Sequence, residues 1–196
     1  MKLIPAFLLA SDDDEFTGWT RANQLWMDEK TSNFSNRTKE ESLRVAELHT
    51  FLRSNQDREV VLCSSAYYIQ PKAFELIDEL QSMHPLGSAT GRVCLNSHQT
   101  STDISLPDDM PTMIVDDIID WQPLRRTHSV ACRALPLDCL WLAPESAHNF
   151  ALATQMAETC EQARKKFYAA MNLVTTRLHL YLPDIRAYPL KTLPSM

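Results

Sequence analysis

Glycine is scarce in this chain of 196 residues: Gly18, Gly87 and Gly91 are all it has, where average usage would give roughly fourteen. Glycine-rich phosphate loops, the dinucleotide fingerprint and the glycine-flanked serine elbow all need backbone turns or close approaches that side chains obstruct. None of these motifs is present. Positive charge is also short, with 19 Lys and Arg against 25 Asp and Glu, a formal net charge of −6. A surface that follows a phosphate backbone needs a basic face, so nucleic-acid binding is possible but not favoured. Cysteine is sparse and odd in number, and Cys63, Cys94, Cys132, Cys139 and Cys160 contain no Cys-x-x-Cys pair. That excludes a dense disulfide scaffold and a zinc ribbon. No apolar run reaches the length of a membrane span. "MKLIPAFLLASDDD" is too short before its acids to read as a signal peptide. The expectation is a cytoplasmic, soluble protein with no membrane contact, no cofactor and no metal.

What is present is a 44% hydrophobic chain, enough for one compact core. Lys2 to Leu9 reads as a strand running into "SDDDE", whose acids suit a helix start. Trp19 to Lys30 reads as helical. In "TKEESLRVAELHTFLRS", Thr38 and Glu41 are spaced as in a capping box ahead of an apolar stripe. "EVVLC" at 59–63 and "RVCLN" at 92–96 read as strands on either side of an amphipathic helix that opens at Pro71 and stops at His84 and Pro85. This unit predicts a parallel crossover. "SVACRAL" at 129–135 and "CLWLA" at 139–143 are further strands. Apolar spacing from Phe150 to Leu178 predicts one long helix over 145–180. The fold expected is α/β: a partly parallel sheet of four or five strands flanked by helices, with a helical excursion over 19–54 and that long C-terminal helix. Residues 1–182 form one domain, and 183–196 a proline-containing extended tail.

"MIVDDIIDW", residues 113–121, carries Asp116, Asp117 and Asp120. As a strand, it would bring Asp116 and Asp117 to the carboxyl end of a parallel sheet, where open α/β folds place ligands. As a helix starting near Pro111, it would put Ile114, Ile118 and Trp121 on one face. An apolar strand ending in two acids, followed by "IID", resembles the ribose-phosphate motif of type I phosphoribosyltransferases. The resemblance implies that these acids contact the ribose hydroxyls of a phosphoribosyl donor, with the next turn cradling its 5′-phosphate. Here that turn is "WQPL", without glycine, and Pro123 has no amide hydrogen to donate. The implied protein keeps the fold and loses the phosphate chemistry.

Ser64 and Ser65, where a strand passes into a loop at the same sheet edge, are a second candidate ligand or nucleophile site. His98 or His128 would be the base. Cys94 and His98 could supply two metal ligands, completed by Cys63 or His84, although Cys94 in a strand core is the commoner outcome. Arg164, Lys165 and Lys166, with Arg125 and Arg126, are the strongest basic patches, beside Tyr168 for base stacking. The alternative for 164–166 is a solvated helix face. Trp19, Trp26, Trp121, Trp141 and eight methionines supply more large apolar surface than polar site geometry. The function expected is therefore a non-catalytic protein-interaction module or complex subunit, whose partner is another protein or a second copy. A degenerate ribose-phosphate or nucleotide-binding domain is the alternative, and a nucleic-acid accessory protein the next.

Overall fold

The computed structural model describes residues 2–9, 13–28, 41–63, 67–93, 113–115, 118–120, 130–137, 139–174 and 177–189. It is an α/β fold on a mixed, partly parallel sheet. Five strands lie side by side in the order β1 (Ala6–Leu8), β2 (Val60–Cys63), β8 (Leu140–Leu142), β4 (Leu86–Val93) and β9 (Leu178–Pro189). Two short strands, β3 (Tyr67–Ile69) and β7 (Val130–Ala131), pair antiparallel along the outer edge of β9. The pairs β1–β2 and β4–β9 are parallel. Between them β8 runs antiparallel to both β2 and β4, so β2 and β4 point the same way, as the strand-helix-strand pattern predicts. β5 (Met113–Val115) and β6 (Ile118–Asp120) pair antiparallel with each other in a separate two-stranded sheet.

Alternation along the strands sends side chains to opposite faces, and two apolar clusters result. Phe7, Val60, Leu62, Leu140, Leu142 and Tyr181 pack under α2 (Glu41–Ser54), α4 (Pro144–Thr154) and α5 (Cys160–Val174). Ala6, Leu8, Val61, Cys63, Trp141 and Leu182 pack under α1 (Asp13–Asn23) and α3 (Lys72–Met83). The sheet is thus the middle layer of three. Trp19, Trp26 and Trp141 are buried in the second cluster, so they build the core and offer no binding surface. Asn23 fastens α1 to the sheet: its Oδ1 accepts from Trp26 Nε1 at 3.0 Å and from Ile69 N at 2.9 Å, and its Nδ2 donates to Trp19 O at 2.9 Å.

Several elements differ from the sequence reading, each for a local reason. α1 begins at the acidic run and ends at Asn23. Past it the chain turns back, so that Met27 bridges Ile4 beside β1. α3 stops as expected, because a residue before proline disfavours the helical region and His84 is extended at φ −143°, ψ 138°. β4 begins six residues earlier than "RVCLN", in "LGSATG", a stretch too poor in β-branched residues to announce a strand. The expected long helix is two helices. Thr159 starts the second: its Oγ1 accepts from Gln162 N at 3.0 Å while Gln162 Oε1 accepts from Glu158 N at 2.9 Å. Thr-x-x-Gln is a helix-start signature, and the apolar stripe running through both helices conceals it. Leu178 fits that stripe but belongs to β9, which continues through the expected tail to Pro189.

Candidate functional site

The densest group of chemically capable side chains among the described residues lies between the sheet and the α4–α5 layer. β4 and β9 are parallel neighbours, and Ser88 and His179 are register partners across them. Their side chains meet, with Ser88 Oγ 2.8 Å from His179 Nδ1. From α5, Tyr168 places its hydroxyl 3.1 Å from Ser88 Oγ, and its ring stands edge-on to the imidazole at a centroid distance of 5.1 Å. All three residues are buried. Gly87 makes this approach possible: a Cβ at that position would lie 2.9 Å from His179 Cε1 and 3.2 Å from Ser146 Oγ.

Burial dominates the electrostatics. It lowers the His179 pKa from 6.5 to about 4 and raises that of Tyr168, a rise the hydrogen bond with Ser88 only partly offsets, because desolvation disfavours the charged form of either group. At neutral pH the cluster is uncharged. His179 Nε2 and Ser146 Oγ are buried and make no hydrogen bond among the described residues. A serine beside a histidine has the composition of a nucleophile and its base, yet this serine is sealed under two helices. What the arrangement does is join β4, β9 and α5 through polar contacts inside an apolar layer. Nothing local in the sequence announces Ser88 or the core position of Tyr168. For His179 the readable signal is the alternation in "LHLYL" at 178–182, which puts His179 and Tyr181 on one strand face.

The residues singled out from sequence do not gather into one site. Arg164, Lys165 and Lys166 lie on α5 but face differently. Arg164 is 8% exposed, donates from Nε and Nη2 to the two Glu161 carboxylate oxygens at 2.7 and 2.6 Å, and donates from Nη1 to Leu135 O at 2.9 Å. This fork lowers the Glu161 pKa. Lys165 is exposed and lies 3.7 Å from Glu161, and Lys166 is exposed. Tyr168, the expected stacking residue, is in the core. Asp120 ends β6, in register with Met113. β5 is a strand, as one of the two readings has it, but it pairs with β6 and not with the seven-stranded sheet. Asp116, Asp117, Ser64, Ser65, Arg125, Arg126, Cys94, His98 and His128 lie outside the described residues.

A narrow crevice of about 20 Å³ opens between α3 and the sheet, lined by Val61, Ile69, Ile77, Thr90, Cys139 and Trp141 among others. It has room for a water-sized solute, far from the several hundred Å³ of a drug-sized ligand site. Among the described residues no group of three His, Cys, Asp or Glu side chains is placed to hold a metal ion. No helix among them is long and apolar enough to cross a membrane. No family model matches the chain, and no curated protein matches its sequence.

Proposed function

We propose that the protein acts by binding another protein chain, as a non-catalytic subunit or interaction module, and not by turning over a substrate. One observation carries this reading: apolar side chains left in solvent at one end of the α2–α4 pair. His49 Nδ1 lies 3.0 Å from Ala151 O, and Cys160 N donates to Glu41 Oε1 at 3.1 Å, so the end of α4 packs beside the middle of α2 and the chain past it runs back to the start of α2. At that end Leu43 is 46% exposed, Leu152 43% and Met156 67%. Leu152 lies in the last turn of α4 and Met156 in the turn that follows it. Exposed leucine and methionine on a helical surface suit an adaptable apolar contact. The inward-turned Ser88, His179 and Arg164 support binding over catalysis, and the composition suits a soluble cytoplasmic chain.

Size-exclusion chromatography with light scattering, together with affinity capture from the native extract, tests the reading. The expected result is a complex, with itself or a second protein, that the double substitution Leu152→Ser, Met156→Ser disperses while circular dichroism stays unchanged. A chain that is monomeric and retains no partner refutes it.

A further inference from the structure

We propose that Cys63 and Cys139 form an oxidisable dithiol that closes into a cross-strand disulfide between β2 and β8. In β2, Val61 N donates to Pro5 O at 3.0 Å and Cys63 O accepts from Leu9 N at 2.6 Å, so the odd-numbered backbone groups of β2 face β1. In and beside β8, Cys139 O accepts from Thr90 Oγ1 at 2.6 Å and Ala143 N donates to Gly87 O at 3.0 Å, so the odd-numbered groups there face β4. The seam between β2 and β8 is therefore bonded through Val60 with Leu142 and Leu62 with Leu140. Val61 and Trp141 are a pair without hydrogen bonds between them. One step further along the same register, Cys63 stands opposite Cys139.

Residues in such a pair have Cα atoms about 4.5 Å apart and side chains directed to the same face, within the roughly 4.4–6.8 Å that a disulfide spans. Both cysteines belong to the apolar cluster under α1 and α3, and neither is in a disulfide. Opposed thiols one step past the last bonded pair have more freedom to adjust than a pair inside the ladder. Cys139 also lines the small crevice beside α3, the side from which an oxidant would reach it.

With peroxide as oxidant, the Cys139 thiolate attacks one peroxide oxygen and the O–O bond breaks. The departing hydroxide takes up the thiol proton as water, leaving a sulfenic acid. The Cys63 thiolate then attacks the Cys139 sulfur and expels the sulfenic oxygen, which leaves as a second water with the remaining protons. The two sulfurs together give up two electrons, and one peroxide is reduced to two waters. Cys132 and Cys160 have no cysteine opposite them in register: Cys132 donates its amide to His179 O beside β9, and Cys160 begins α5.

The test is to expose the native full-length chain to hydrogen peroxide, block remaining thiols, digest without reductant and map peptides by mass spectrometry. The expected result is a Cys63 peptide joined to a Cys139 peptide. The linkage should be reversed by a thiol reductant and absent from Cys139→Ala, while Cys132 and Cys160 remain unmodified. Three results overturn the proposal: Cys139 carried to sulfinic acid without a link, a disulfide joining either residue to a different cysteine, or both thiols intact in a chain that circular dichroism shows folded. Because the decisive reading is on the wild-type chain, a Cys139→Ala variant that fails to fold does not weaken it.

Discussion

Acidification should unfasten the Ser88–His179–Tyr168 cluster, and the size of the effect follows from His179 alone. Its imidazole titrates at about 4 in the folded protein and at 6.5 when solvated, so between those values the unfolded chain binds a proton that the folded chain refuses. Stability therefore falls as pH drops, the sign expected when the unfolded state takes up more protons. The contribution is complete above 6.5, declines between 6.5 and 4, and is exhausted below 4. Each pH unit in that interval is worth about 1.4 kcal/mol, so the full loss is about 3 kcal/mol, a large part of a typical domain's 5–15 kcal/mol. Asp, Glu and the other histidines also titrate, and the comparison that isolates His179 is with His179→Asn. The asparagine amide can take the Nδ1 position against Ser88 and does not titrate. Urea unfolding midpoints for both chains across pH 4 to 7.5 should converge on acidification, with the wild type losing about 3 kcal/mol more. Parallel profiles over that range would refute the reasoning, since they would mean that His179 is as easily protonated in the fold as in solution.

Gly87→Ala places a methyl 2.9 Å from a buried ring that is itself hydrogen-bonded, and overpacking of that kind costs about 1–3 kcal/mol; chemical denaturation should read the loss. Arg164→Met should destabilise by about 2 kcal/mol or more, because Leu135 O loses a buried donor and Glu161 its forked partner. Lys166→Glu, on the exposed side of the same helix, should change stability by less than about 0.5 kcal/mol. Equal effects at positions 164 and 166 in thermal unfolding would contradict the assignment of α5's faces.

The α/β class was legible because "EVVLC" and "CLWLA" are compact apolar runs that the sheet buries and the stretch from Pro71 has a helical period that α3 uses. β4 and β9 were harder to read, for opposite reasons. "LGSATGRV" has little strand propensity and owes its place to neighbours far away in the chain. "LHLYLPDIRAYP" has a period-two pattern, but its first leucine also completes a helical repeat. The break between α4 and α5 was present in Thr159 and Gln162 and hidden by the apolar stripe on either side. Of the candidate residues, Arg164 shows the limit most directly. "EQARKK" gives three basic residues in a row, and only the three-dimensional position of Leu135 O and the Glu161 carboxylate determines which of them turns inward. The Ser88–His179 contact joins positions 91 residues apart, and no local pattern encodes such a pairing.

The position of β9 bears on how the chain is made. Residues 178–189 pair with β4 on one side and with β7 and β3 on the other, so a strand synthesised after β4, β7 and β3 sits between them and not at the rim. Until it emerges, β4 presents a row of unclaimed amides and carbonyls to its surroundings. Folding here cannot proceed strand by strand behind the ribosome. It waits for residues 178–189, and in that interval a half-built sheet is open to pairing with a neighbouring chain.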